Sequence, residues 1–417
     1  MKLTPLDPWI RQKTNGSDLA SWQLAKLNAT LAWARSRSAF YRKHFAGSPN
    51  AITSLDELRQ FPFTTPEDIR ENPLQFVCVS QDEIQRVVTL QTSGTTGRPK
   101  RIYFTADDQE LTIDFFGVGM STLTAPGERV LILLPGETPG SVGDLLRMGL
   151  ARKGMHPLPY GPVRDPLHAL DTMQSQQADC LVGSPTQVLG LARRWKPRNK
   201  APRTILLSTD YVPAAIVREL VNIWGGEVFN HYGATEMGLG GGVECEAHRG
   251  YHLREADMFF EIVNPETGEA VSAGEYGEVV FSTLTRRGMP LIRYRMGDRS
   301  RFIPGECPCG TLLRTMEKVC GRFNGFVRAG NEILKLPDFD EALFPLSGLL
   351  NFSVTVTGTG EDEALLVEAQ MLTSAPASPE VEEALESVSS IKKIVRCQHN
   401  PREAGSLLKR VILDKRG

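Results

Sequence analysis

Three uninterrupted apolar runs constrain the fold of this chain more than any other feature: RVLILLPG at residues 129–136, DCLVGSP at 179–185 and TILLSTD at 204–210. A strand with one wet face alternates polar and apolar residues, whereas a strand covered on both faces reads as a continuous apolar run. Each run ends in Gly, Pro or Asp and gives way to a helical pattern, such as PAAIVRELVNIWG at 213–225. Strand–helix alternation across residues 85–230 predicts a parallel sheet covered by helices. At 417 residues the chain exceeds what one ordinary core holds, which predicts two or three domains.

Either side of this region the pattern changes. Residues 18–45 carry apolar positions every three to four residues and read as an amphipathic helix with a second, short one. Thr and Pro at the start of 64–73 form a helix N-cap arrangement. A strand is predicted at 84–91 and a helix over 105–120. Residues 258–284 read as two strands around turn residues, and the last ~95 residues as a small α+β unit of strand, strand, helix and strand. The join falls near 321–332, where Gly, Asn and Arg cluster without periodicity. The expected architecture is α/β: a large N-terminal domain (1–320) with a parallel sheet and a β subregion, and a small C-terminal α+β domain (321–417).

Composition removes several classes of function. A net charge of −2 gives no bulk attraction to nucleic acid or to an anionic membrane. No apolar run approaches the ~18 residues of a membrane span. The first residues, MKLTPLDPWIRQK, have no signal-peptide core. Seven cysteines, an odd number, argue against a disulfide framework. The expectation is a cytoplasmic protein with reduced thiols.

Residues 91–100, QTSGTTGRPK, are too rich in Gly and hydroxyls for a buried element. Glycines permit positive φ and let successive N–H groups converge on one point, a nest that binds phosphate; the alternative is a polar surface turn. The spacing is not that of a Walker A loop. Further motifs follow in order: YGATE at 232–236, YRMGD at 294–298 and GRFNG at 321–325. Together with the stretches FYRKHF, TLTRRGMPLIRYRMGD and PGECPCG, this set resembles the adenylate-forming superfamily of acyl- and aryl-CoA ligases, and within it the phenylacetate-CoA ligase group.

That resemblance implies a mobile C-terminal domain and a two-step reaction. A small-molecule carboxylic acid and ATP give an acyl-adenylate and pyrophosphate, and then CoA or another acyl acceptor displaces AMP. It further implies that Thr92, Ser93, Gly94, Thr95, Thr96 and Gly97 grip the β- and γ-phosphates, with Arg98 or Lys100 as counter-charge. In the nucleotide loop Tyr232–Gly233–Ala234–Thr235–Glu236, Tyr232 would lie against adenine, Thr235 would bond the α-phosphate and Glu236 would hold Mg2+. Asp298 would accept from the ribose hydroxyls, and Arg322 would bind ribose or phosphate. The bland alternatives are an ordinary turn at Tyr232, a surface carboxylate at Glu236, and pairing of Asp298 with Arg295 or Arg299. A homodimer is common in the group.

The sequence departs from the family pattern in three places. Ser208, Thr209 and Asp210 stand where a small-residue motif contacts adenine, and Asn324–Gly325 stands at the hinge. The C-terminal lysine that follows a glycine is also missing: Ser406 follows Gly405, aligning on Arg410 places Leu407 there, and only Lys409 is at hand to substitute. A non-CoA acceptor, or an ATP- or AMP-binding homologue with a weak first half-reaction, therefore stays open.

Cys245, His248, His252, Cys307 and Cys309 cluster in two short stretches rich in Gly and Pro. They read either as a metal site or as free buried cysteines with a surface histidine. The resemblance favours structural Zn2+ on Cys245, His252, Cys307 and Cys309, with His248 as rival. Cys78, Cys180, Cys320 and Cys397 read as core or surface residues. His231 lines the acyl pocket or is a satisfied structural histidine. Glycines at 238, 240, 241 and 242 are expected to leave room for a flat ring, which points to an aryl or arylacetic acid.

Overall fold

The computed structural model describes residues 2–90, 98–197, 199–323, 325–372, 378–400, 402, 404–405 and 410–416. The chain forms two compact units: residues 1–123, 148–153 and 231–319 make the first, and 124–147, 154–230 and 320–417 the second. Among the described residues no helix is long and apolar enough to cross a membrane.

In the second unit the three apolar runs are strands of one parallel sheet, as their composition predicts. The order is His156–Pro159, Arg129–Ile132, Cys180–Gly183, Thr204–Leu207 and then residues 227–230. Helices Pro166–Ser175, Pro185–Ala192 and Ala214–Trp224 make the three crossovers that follow His156–Pro159 in the chain. The first two carry proline in the first turn, where its missing N–H leaves no bond unmade. Ala214–Trp224 buries Ile216, Leu220 and Trp224, a stripe at four-residue spacing.

Residues 320–417 add a four-stranded sheet in the order Lys392–His399, Ala364–Met371, Leu349–Thr357, Ile412–Asp414. The central pair is antiparallel and both outer strands run parallel to their neighbours. Phe339, Phe344, Phe352 and Val354 of this part share a core with Val188, Leu207 and Ile216. Polar contacts reinforce it. Glu341 accepts from the Ala214 and Ala215 N–H groups at 2.5 and 3.0 Å, capping a helix whose own N-cap, Pro213, supplies no side-chain bond. Arg410 makes a two-pronged bond to Asp340 at 2.7 and 3.0 Å, and its backbone N–H donates to Asp210 at 3.4 Å.

After a first helix, Leu6–Lys13, the first unit continues with helix Leu19–Arg37, capped by Asp18, and the short helix Ala39–His44, capped by Ser38. The latter are the two helices predicted over 18–45. Helix Pro66–Glu71 is closed by a reciprocal capping box between Thr65 and Asp68. Strands Ile84–Leu90 and Lys100–Thr105 form an antiparallel hairpin in which Leu90 lies opposite Lys100. Helix Ala106–Met120 follows at once, capped by Thr105. Met258–Val263, Gly277–Thr283 and Tyr294–Ser300 make a three-stranded antiparallel sheet, the predicted β subregion with one strand more. His231 and Tyr232 pair with Val243 and Gly242, and that short ladder continues through Tyr251–Leu253 to Thr315–Met316.

Burial lifts the Asp340 carboxyl to about 6, against the pull of Arg410 beside it. Removing the arginine leaves a buried carboxylate without its counter-ion, so Arg410→Met should destabilise the chain by about 3 kcal/mol at alkaline pH. The raised folded-state pKa fixes the sign of the pH dependence. The folded state prefers the protonated acid, so the deficit should shrink as pH falls below the folded value and grow as pH rises through it. Urea unfolding at pH 5 and pH 8 checks this; equal deficits at the two values would count against it.

Candidate functional site

Two of the predicted positions, Lys100 and Glu236, meet in the first unit around one buried carboxylate, and a third residue joins them. Lys100 is the first residue of its strand, and its ammonium pairs with Glu236 Oε1. Tyr294 joins them: Lys100 Nζ donates to its hydroxyl at 3.1 Å, and the hydroxyl donates to Glu236 Oε1 at 3.2 Å. Glu236 is 6% exposed, so it is not the surface carboxylate of the bland alternative. Burial alone would raise its pKa, but the Lys100 charge and the hydrogen bonds from Lys100 and Tyr294 more than offset this and hold the carboxyl below its usual range.

Backbone geometry explains the position of Glu236. After Tyr232 the chain turns through Thr235–Met237 and returns as Gly242–Glu244. Gly238 and Leu239 both take the left-handed conformation, at φ 66° and 72°. A non-glycine residue there is strained, and strain of this kind gathers at functional sites. A Cβ at position 233 would lie 2.3 Å from the Leu239 carbonyl oxygen, so only glycine fits. Leu239 N–H donates to Ala234 and Gly241 N–H to Tyr232, closing the turn. Thr235 lies in the same turn, immediately before Glu236.

A second pair lies along the same two segments. The Tyr232 hydroxyl donates to Asp298 Oδ2 at 2.9 Å, and both residues are buried. The Tyr232 ring stacks on Tyr251 at 5.6 Å between centroids. Tyr294 and Asp298 occupy one strand whose burial alternates, which places both on its buried face. The strand bulges at Gly297, whose φ is 73°, a device common beside active sites. Arg295 pairs with Glu278. Sequence reasoning gave Tyr294 no role, although it leads the YRMGD motif four residues before Asp298 on the same face.

Arg322 belongs to the second unit. Thr92, Ser93, Gly94, Thr95, Thr96, Gly97, Asn324, Ser406, Leu407 and Lys409 lie outside the described residues. In the second unit Thr209 takes a positive φ of 79°, a strained value for a β-branched residue, and Asp210 is bound to Arg410.

Cys245, His252, Cys307 and Cys309 come together as one buried group whose four ligand atoms all lie within 4.8 Å of one another. Cys245 and Cys307 sulfurs are 3.6 Å apart, and Cys309 Sγ is 3.5 Å from His252 Nε2. Tetrahedral zinc–thiolate bonds of ~2.3 Å set ligands roughly 3.8 Å apart, so the spacing fits such an ion and is far too long for a disulfide. The Ala247 N–H points at Cys245 Sγ at 3.4 Å. Burial is the main reason the Cys245 thiol is pushed well up, with the neighbouring thiols adding to it. His248 stands outside the group and faces Glu244 at 3.8 Å. Burial also pushes the thiols of Cys78 and Cys180 up to about 12.

The expected space around the glycine run is not there. A Cβ on Gly240 would meet the Phe115 ring at 2.5 Å, one on Gly241 the Met237 sulfur at 2.7 Å, and one on Gly242 Leu253 at 2.9 Å. These glycines admit neighbouring side chains of the protein itself, and Gly238 serves the turn. His231 is half-buried near Phe115 and Phe116, and desolvation lowers its pKa to about 4.

Comparison with known proteins identifies the family. Residues 44–285 match the family described as AMP-binding enzyme. Over 323 residues the chain is 30% identical to phenylacetate-coenzyme A ligase of Thermus thermophilus, covering 73% of this chain and 70% of that one. It is 27% identical over 333 residues to the Escherichia coli enzyme of the same name, covering 76% and 74%. Among solved structures it is similar to 2-hydroxyisobutyryl-CoA ligase in the postadenylation state with 2-HIB-AMP, with a TM-score of 0.80 at 21% identity over 94% of this chain and 89% of that one. Ordered motifs, fold and relatives agree: the chain belongs to the AMP-binding enzyme family and is an adenylate-forming ligase.

Proposed function

We propose that the chain activates an aryl or arylacetic acid with ATP and passes the acyl group to CoA. The observation that carries this reading is the buried Lys100–Glu236–Tyr294 group beside the Tyr232–Asp298 pair. In the first step a carboxylate oxygen bonds to the α-phosphorus of ATP and the bond to pyrophosphate breaks. In the second, the CoA sulfur bonds to the acyl carbon, its proton is lost, and the carbon–oxygen bond to AMP breaks. Charge gathers on the phosphates during the first step, where fixed positive groups lower the barrier. Glu236 is the carboxylate that would hold Mg2+, which would supply charge neutralisation at the phosphates. Lys100 is then the cation displaced toward the phosphates. Asp298, held by Tyr232, would accept from a ribose hydroxyl. The names of the relatives support an aromatic acid and CoA. Residues 321–417 would be the part that moves between the half-reactions.

The direct test is a panel of aryl and arylacetic acids with ATP and Mg2+, scoring pyrophosphate with and without CoA. A CoA thioester should appear with at least one acid. Pyrophosphate without a thioester would shift the reading to another acceptor, and no pyrophosphate with any acid would point to a lost first half-reaction, as Ser406 in the place of the family lysine allows. Glu236→Gln should lower pyrophosphate release by about 100-fold or more, while leaving thioester formation from added acyl-adenylate far less affected. Equal loss in both steps would argue that Glu236 is structural.

Cys245, His252, Cys307 and Cys309 form a closed four-ligand set with no position for substrate, which suits structural Zn2+. Elemental analysis should find about one zinc ion per chain. Cys307→Ser should lose the ion and lower Tm by roughly 5 °C. Full-length protein that is stable and free of metal would refute the site.

A further inference from the structure

Arg286 is a buried cation that the reaction scheme leaves without a task. It lies in the stretch after strand Gly277–Thr283 and is 6% exposed. Among the described residues its Nε has no hydrogen-bond partner, and the carboxylates of Asp108 and Glu236 lie near enough to favour its charge. Its guanidinium serves two backbone carbonyls. Nη1 donates to the Glu236 carbonyl at 2.7 Å, Nη2 to the Tyr103 carbonyl at 3.4 Å, and the group lies over the Phe104 ring at 4.5 Å. Burying a charge against neutral acceptors is expensive, and a neutral donor would satisfy one of these carbonyls as well. What the planar fork adds is reach to two segments at once.

Those two segments carry the ion pair. Tyr103 and Phe104 belong to the strand that Lys100 begins, and Glu236 sits in the turn Thr235–Met237. The loop that presents Arg286 is itself fixed from the other side. Asp108 accepts from the N–H groups of Arg287 and Gly288 at 2.9 and 3.0 Å, and from Thr105 at 3.0 Å. A Cβ on Gly288 would sit 2.5 Å from Asp108, so the loop closes tightly on that carboxylate. A path of fixed contacts thus runs from Asp108 through the loop and Arg286 to the main chain of Glu236.

We propose that Arg286 is a positioning residue for adenylation: it straps the Glu236 main chain to strand Lys100–Thr105 and so sets where the carboxylate meets Mg2+ and the nucleotide. This rests on the reading of Glu236 as the Mg2+ carboxylate.

The test is calorimetric titration of the full chain with ATP, in Mg2+ and in EDTA, for Arg286→Met, Arg286→Lys and Glu236→Gln, with Tm recorded for each. Arg286→Met should weaken binding of Mg2+·ATP by about tenfold or more, the effect typical of losing a group that orients a ligand, and should change binding in EDTA much less. Arg286→Lys, which keeps the charge but reaches only one carbonyl, should fall between. A structural role alone would lower Tm and the bound fraction while leaving the Mg2+-dependent gain intact, and that result would overturn the proposal. Should Arg286→Met not fold, the Arg286→Lys gain decides in the same way. If Glu236→Gln keeps the full Mg2+-dependent gain, the reading of Glu236 fails; if it loses the gain and both Arg286 variants keep it, only the strap fails.

Discussion

The ion pair of Lys100 with Glu236 is the interaction around which the first unit is arranged. Both side chains are largely removed from water, and such a pair is worth forming only when its geometry is good and the remaining lone pairs find donors. The Tyr294 hydroxyl supplies one such donor, bonded to both partners. Three separate stretches of chain must therefore converge within hydrogen-bond reach. Each arrives on an element fixed elsewhere: Lys100 on the hairpin capped into helix Ala106–Met120, Tyr294 on a strand of the three-stranded sheet, Glu236 on a turn closed by its own backbone bonds.

Much of this was legible in the sequence, for identifiable reasons. Continuous apolar runs at 129–136, 179–185 and 204–210 gave the parallel sheet because burial on both faces leaves no polar alternation to confuse the reading. Capping residues Asp18, Ser38 and Thr65 marked helix starts because their side chains bond locally. Strand Ile412–Asp414 is three residues long, too short to carry a period. The hairpin Phe326–Ala329 with Glu332–Lys335 stood in a stretch where Gly and Asn masked it.

At the site the ordered motifs found the residue types, but geometry decided their partners. Asp298 was expected to face ribose, or to pair with a neighbouring arginine; its side chain is met by the Tyr232 hydroxyl, a link across 66 residues that no local pattern encodes. Tyr294 and Arg286 were on the page within TLTRRGMPLIRYRMGD and went unread, since a tyrosine or arginine in a motif carries no sign of whether its side chain is buried. The glycine run at 240–242 shows the converse error. Glycine removes a side chain, but in a packed interior the volume is taken by whatever lies opposite, here Phe115, Met237 and Leu253. Absent side chains in a sequence predict close approach, not empty space.

The missing lysine after Gly405 makes the fate of the remaining cations matter. Arg286 cannot be redeployed toward phosphate: both its donor arms are committed to carbonyls and its ring contact with Phe104 fixes the plane. Lys100 is different. Its single ammonium sits on a flexible stem and is held by Glu236 and Tyr294, groups that a divalent cation could satisfy in its place. On the proposed reading, Lys100 would be a cation that metal binding could release toward the nucleotide, while Arg286 would hold the Glu236 main chain in place.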